Sequence, residues 1–361
     1  MRYTSIDILR AVAVIVMIQV HFVGNLSGFT HAAPAGFGAP LFTFLLGFSY
    51  HLWLEAQRAR GTSDSDIHKI GIRRGLFMFG LGLVFNVFVW LPVDTFDWDV
   101  LTLLGAGLIF LTFVRKLPDS ILLGVGVWVY GISPALRVLS DYRAYWTPGY
   151  FDFDPTLSDV VLGFLVNGYF PIFPWLAFPV AGFLIARHMS PGSGSARAAL
   201  NRVTAIGAGL IGVAVAMMSI RPRFPWLVQT VWRKPWTMFP ASLDYVAGTL
   251  GITILIFALL HRWVDLSPRF PKDGAVARIS TMFSVRALTI YILHHLVHIW
   301  PLWLYGMTRG TDPTAYWQRA MPVTWSWSLA LVFLVGCHFL LRWMDRTGKP
   351  GVETLMRWLC N

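Results

Sequence analysis

Ten apolar runs of roughly 17–24 residues follow one another along the chain, each close to the ~20 residues that carry a helix across a ~30 Å hydrocarbon core. A bilayer offers the backbone no hydrogen-bond partners, so runs of this length read as helices that satisfy their own amides. They lie at about 6–26, 36–57, 74–92, 99–114, 120–139, 169–187, 203–220, 239–261, 283–306 and 322–342. Only short connections remain, so residues 1–361 read as a single integral-membrane domain of all-α, polytopic type, with about ten transmembrane helices. Composition agrees: 56% of residues are hydrophobic, 13% are charged and mean hydropathy is +0.59, too apolar for a soluble globule.

The net charge of +11 does not mark nucleic-acid binding, because the basic residues are spread over connections instead of gathered on one face. It orients the chain. Most of the 29 Lys and Arg fall on one side if both termini are cytoplasmic, as the positive-inside rule expects. Residues 58–74 carry five cations, whereas 93–99 carries Asp94, Asp97 and Asp99. The segment 221–238, with Arg221, Arg223, Arg233 and Lys234, goes against this trend. Asp7 and Arg10 interrupt the first run, which therefore reads as a retained helix and not a signal peptide. Cys337 and Cys360 have neither a disulfide framework nor metal-ligand spacing.

Small residues let membrane helices approach closely, and Gly80 with Gly82, Gly105 with Gly107, Gly207 with Gly209 and Gly212, and Gly248 with Gly251 are expected to do so. Pro171, Pro174 and Pro179 within one run predict a broken or tilted helix beside a cavity. Many of the 17 Trp sit near expected outer ends, where an interfacial belt explains them. Others, with Asp141, Asp152, Asp154 and Asp159 in the connection 140–168, are compatible with a sugar-binding mouth.

An ionisable side chain in hydrocarbon is costly unless paired or facing water, so each one is a functional candidate. Asp7 and Arg10 share a face of the first helix, where an internal ion pair and ligand binding both fit. His21 lies eleven residues beyond Arg10, close to three turns and roughly 16 Å along the same face. A cation and an imidazole so placed could line one channel. His31 follows in the next connection, where an idle exposed histidine is the plain alternative. Arg286, Tyr291, His294, His295 and His298 fall together in the ninth run. His294 and His298 stand at i, i+4, a metal-ligand spacing, but no acid or cysteine lies near them in sequence and no metal is expected. Asp244 is the carboxylate well inside a late helix; it could orient a histidine, hold a polar acceptor, or pair with an arginine.

Ser5-Ile-Asp7-Ile-Leu-Arg10, then ten residues and His21, resembles the opening of transmembrane acyltransferases: the sugar O-acyltransferases of bacterial envelopes and the heparan-alpha-glucosaminide N-acetyltransferase family. Further segments resemble the second family. These are His31 before Ala39-Pro40-Leu-Phe-Thr-Phe-Leu-Leu-Gly47, Arg73-Arg74, Asp99-Val-Leu before Gly105, Asn167-Gly168 before Phe170-Pro171-Ile-Phe-Pro174-Trp175, and Ala287-Leu-Thr-Ile-Tyr291-Ile-Leu-His294-His295, which place the core motifs within 5–305. The resemblance implies transfer of the acetyl group of cytoplasmic acetyl-CoA to a glycan or glucosamine-like acceptor across the membrane. It implies a place in the inner membrane of a bacterium, and a homodimer is compatible with it. His31 maps onto the family's catalytic histidine, while His21 is the essential one of the O-acyltransferase pattern; both are carried as candidates for the base, with Asp244 as a third catalytic candidate. Arg10, Lys69, Arg73, Arg74 and Arg286 are candidates for the donor's phosphates, with Tyr291, His294 and His295 toward its reacting end. A proton- or anion-coupled secondary transporter is the alternative class, since it too would bury Asp, Arg and His beside a broken helix.

Overall fold

The computed structural model describes residues 2–29, 36–147, 150–189, 195–224 and 235–361. Helix α1 (Thr4–Ser27) stops at Gly28, whose φ of 69° suits a left-handed cap that donates its N–H to the Gly24 carbonyl. There follow α2 (Gly38–Ala59), α3 (Asp64–Val89), α4 (Val100–Val114) and α5 (Asp119–Leu139). A short hairpin pairs Trp146–Thr147 with Tyr150–Phe151. Beyond it come α6 (Leu157–Leu162), α7 (Ile172–Trp175), α8 (Ala177–His188), α9 (Ala196–Ile220) and α10 (Leu243–Leu260). The chain ends with α11 (Ala275–Val285), α12 (Ala287–Thr308), α13 (Val323–Thr347) and α14 (Val352–Cys360).

Each of the ten expected runs holds helix, but they are not ten uniform spans. Among the described residues, eight helical segments are long and apolar enough to cross a membrane, with the broken run Leu157–His188 counted as one. Helix α2 is 22 residues long and more polar, while α4 and α11 have 15 and 11 residues. At 1.5 Å per residue α4 is only about 22 Å long. The run expected at 283–306 is interrupted at Arg286, where φ −115° and ψ 25° leave the helical region. Helix α11, read from sequence as connection, thereby becomes a separate element against α1.

The expected break in the sixth run is present. After α6 the helix widens over Gly163–Asn167, becomes extended at Pro171 and resumes as α7 and α8. Proline removes an amide donor and disfavours helix in the residue before it, which is why three prolines so close cannot sit in one straight helix.

Glycine sets the spacing at three helix pairs. A Cβ at Gly47 of α2 would fall 1.8 Å from the Pro179 carbonyl oxygen, and one at Gly182 of α8 would fall 2.0 Å from that of Phe44. Gly105 meets the Phe79 amide of α3 in the same way, and Gly207 faces Gly251 across α9 and α10. The expectation fails for Gly80, Gly209 and Gly212, which have nothing within 4 Å. They point off the helix pairs, a direction that spacing along one helix cannot reveal.

Helix α1 runs through the middle. Its Ile6 and Leu9 belong to one buried cluster with Phe44, Phe48, Trp175 and Phe257, and its Val14, Ile18 and Phe22 to another with Ile290, Ile299 and Leu341. Gly182→Ala is expected to destabilise the bundle by ~1–3 kcal/mol or more, because backbone stands where the methyl must go. Gly80→Ala, with open space around it, should be neutral or mildly stabilising. Thermal midpoints of the two variants in detergent check the contrast.

Candidate functional site

Helices α1 and α12 cross so that His21 and Asn25, one turn apart, face His294, His295 and His298. His21 Nδ1 lies 2.9 Å from His294 Nε2. The two rings are nearly coplanar, 13° apart with centroids at 5.2 Å, the arrangement of an in-line hydrogen bond. Its direction follows from the backbone. His294 Nδ1 is 3.1 Å from the Ile290 carbonyl, which can only accept, so Nδ1 carries the hydrogen and Nε2 of the neutral ring is bare. His21 must then donate from Nδ1, which leaves its own Nε2 unprotonated. Among these four histidines His21 alone is half-buried; the other three are buried.

The same logic fixes the neighbours. His295 donates from Nδ1 to the Tyr291 carbonyl at 3.2 Å, and its Nε2 is bare. His298 donates from Nδ1 to the His294 carbonyl at 2.5 Å and accepts at Nε2 from Asn25 Nδ2 at 3.0 Å. Asn25 is held in that orientation because its Oδ1 accepts from Trp317 Nε1, a donor only, at 3.3 Å. The connection before α13 also caps α1: Gln318 and Ala320 donate their amides to the Asn25 and Leu26 carbonyls. The Tyr291 hydroxyl donates to Asp99 Oδ2 at 2.6 Å, tying α12 to the start of α4.

Ligand atoms of His21, His294 and His295 lie within 4.8 Å of one another, a set that could hold a metal ion. Sequence spacing pointed to His294 and His298 instead, because His21 comes from a helix 273 residues earlier. In the arrangement described, the lone pair of His294 Nε2 is taken by the His21 N–H, and a metal would have to displace that bond.

Nearer the start of α1, Arg10 donates to Ser284 Oγ at 2.6 Å and to Ser49 Oγ. Asp7 does not pair with it directly. The Asp7 carboxylate accepts from Arg2 Nε and from Ser284 Oγ, both at 2.6 Å, so a serine of α11 stands between acid and base. Among the described residues, Arg10 has no carboxylate within salt-bridge distance, whereas Arg286 pairs with Asp345 and Lys69 with Asp66. Arg74 lies over the Trp53 ring and donates to Asn361 Oδ1, and Arg73 is exposed.

The structure thus divides the sequence candidates. Tyr291, His294 and His295 join His21, apart from Arg10, which is eleven residues away along α1. Asp244 belongs to neither group: its carboxylate accepts from the Trp236 amide at 2.6 Å in the first turn of α10. His31 lies outside the described residues, as do Arg233 and Lys234. Asp99 and Trp317 were missed as partners of the site. Asp99 carried a visible signal as a helix N-cap, but nothing near Trp317 marks it among 17 tryptophans. In the connection 140–168 the rings pack on one another, Trp146 stacking with Tyr142 and Phe239, and Asp159 accepts from the Tyr145 hydroxyl.

Asp97, in the connection between α3 and α4, is pushed up to about 8 by burial, with Asp94 and Asp99 adding to it. An acid protonated longer in the folded state than in the unfolded one makes stability fall as pH rises from the ordinary carboxyl range to about 8. Asp97→Asn should flatten that fall. Thermal midpoints across this range, compared with the parent protein, test it.

Residues 2–211 match the family model described as heparan-alpha-glucosaminide N-acetyltransferase, catalytic. No curated protein matches the chain. The family match takes in His21, Arg10 and Asp99 and stops short of Tyr291, His294 and His295, which the fold brings back to His21. It covers more than half of the chain, and this multi-pass helical protein belongs to the heparan-alpha-glucosaminide N-acetyltransferase catalytic family.

Proposed function

We propose that this protein is a transmembrane acetyltransferase that moves the acetyl group of cytoplasmic acetyl-CoA to an amine or hydroxyl of a sugar on the other side of a bacterial cell membrane. The observation that carries the reading is the directed hydrogen bond from His21 to His294, with His21 Nε2 left bare. A half-buried imidazole with an open lone pair and its other nitrogen anchored is suited to general-base work.

In this reading His21 Nε2 takes the proton of the acceptor's N–H or O–H as that atom bonds to the acyl carbon. The carbon–sulfur bond breaks, and the proton passes from the imidazolium to the leaving thiolate. While His21 is charged, its Nδ1–H points at the His294 lone pair, which steadies the cation without a carboxylate. The donor contributes an acyl group already activated as a thioester. Arg10, held by two serine hydroxyls and by no acid within salt-bridge distance among the described residues, is free to meet an anionic part of the donor. Exposed Arg73 is a second contact. Tyr291 does not serve as an oxyanion donor in the arrangement described, since its hydroxyl hydrogen goes to Asp99, whereas Asn25 Nδ2 gives one hydrogen to His298 and keeps a second.

Labelled acetyl-CoA and glucosamine, supplied to purified protein in vesicles, test the reading. His21→Ala is expected to slow transfer by roughly 10²–10⁴-fold with donor affinity nearly unchanged. If His31 is the base instead, His31→Ala shows that loss and His21→Ala the smaller effect, and wild-type rates in both variants would sink the mechanism. Arg10→Ala should weaken acetyl-CoA binding by about tenfold or more, the size of one charge-assisted contact. For sidedness, a cysteine at Tyr150 should label from outside and cysteines at Asp64 and Phe270 from the cytoplasm; the reverse pattern would contradict the direction of transfer.

A further inference from the structure

Pro301 lies inside α12, one turn beyond Val297. Having no N–H, it leaves the Val297 carbonyl without its helical donor and loosens the helix there. Beside it is a cavity of about 450 Å³ between α1, α12, α13 and the connection before α13. Its walls are apolar, with Phe22, Leu302, Met321, Leu329 and Phe333 among them, and one imidazole, that of His298. Its rim is open where Val297, Leu329 and Val332 are 46%, 40% and 66% exposed.

This cavity adjoins the histidine cluster at two residues. Phe22 directly follows His21, and its ring is 4.7 Å from that of His298. His298 in turn is bonded to the His294 carbonyl and to Asn25. An acetyl group, with one methyl beyond its carbonyl, has no use for such a volume. An apolar cavity walled by His298 and by Phe22, the residue that follows His21, has the form required by an unbranched alkyl tail.

We propose that this cavity receives the tail of acyl donors longer than acetyl, so that the site transfers medium-chain acyl groups from their coenzyme A thioesters as well as acetyl. The inference rests on the acyl-transfer reading above and refines it to the length of the donor chain. The bonds are the same: acyl carbon to acceptor nitrogen or oxygen forms, carbon to sulfur breaks, and the acceptor's proton ends on the thiol. Each methylene withdrawn from water favours binding roughly threefold to fourfold, so a partly covered chain still lowers KM measurably.

The test compares acetyl-CoA with octanoyl-CoA, using the full-length protein in nanodiscs with glucosamine as acceptor and mass-spectrometric detection of the product. The parent protein is expected to transfer both groups, with the lower KM for octanoyl-CoA. Leu329→Trp and Met321→Trp, both at lining residues, should each cut kcat/KM for octanoyl-CoA about tenfold or more while acetyl transfer stays within about twofold. Transfer of acetyl but not octanoyl by the parent protein would overturn the proposal. So would an equal effect of both fillings on the two donors, which would leave the cavity to membrane lipid. Transfer of neither group would instead remove the acyl-transfer reading, and this proposal with it.

Discussion

Six polar side chains of α1 are bonded to partners from the far end of the chain. Ser5 is bonded to Asp265, Asp7 and Arg10 to Ser284, His21 to His294, Asn25 to His298 and Ser27 to Ser326. In a helix surrounded by hydrocarbon side chains an unpartnered polar group costs several kcal/mol, so α1 can occupy the centre of the bundle only in the register that makes these bonds together. The rest of the architecture depends on that register. Helix α11 is docked through Ser284, α12 through its histidines, and the connection before α13 through the amides that cap the last turn of α1.

The same constraint shapes the chemistry available at the site. A histidine whose Nδ1 donates to the carbonyl four residues earlier has its tautomer set by the helix itself, and His294, His295 and His298 all do this. Three of these rings cannot donate from Nε2 while neutral, so the bond between His21 and His294 has one possible direction. At the other end of the helix a serine separates Asp7 from Arg10, and the guanidinium is left among hydroxyls that hold it without cancelling its charge. One helix thus carries an imidazole with a bare nitrogen and a guanidinium held by hydroxyls, the pairing on which the proposed acyl transfer rests.

Close backbone contact between neighbours does the remaining positioning. Gly47 and Gly182 let α2 and α8 touch at their carbonyls, and Gly207 and Gly251 do the same for α9 and α10. Dense packing of this kind leaves few soft places. One cavity lies beside Pro301, next to His298, and another of about 450 Å³ lies between α5, α8, α9 and α10 with no proline in its lining.

Sequence alone determined the class of protein, because only helices satisfy their amides in hydrocarbon and a succession of long apolar runs with only short connections admits no soluble fold. It also marked His21, Arg10 and the late histidines, since buried ionisable groups are few enough to stand out. Spacing along α1 placed Arg10 and His21 on one face correctly for an ordinary helix of 3.6 residues per turn. Which groups meet across helices was decided by tertiary structure. Asp7 lies three residues from Arg10 yet binds Arg2 and Ser284, while Tyr291 finds Asp99 192 residues away. Gly80 and Gly82, two residues apart, face open space and Thr102 respectively. The physical reason is common to all of these: periodicity fixes which side chains share a face of one helix, but the helix it faces depends on how every other apolar face in the bundle is covered.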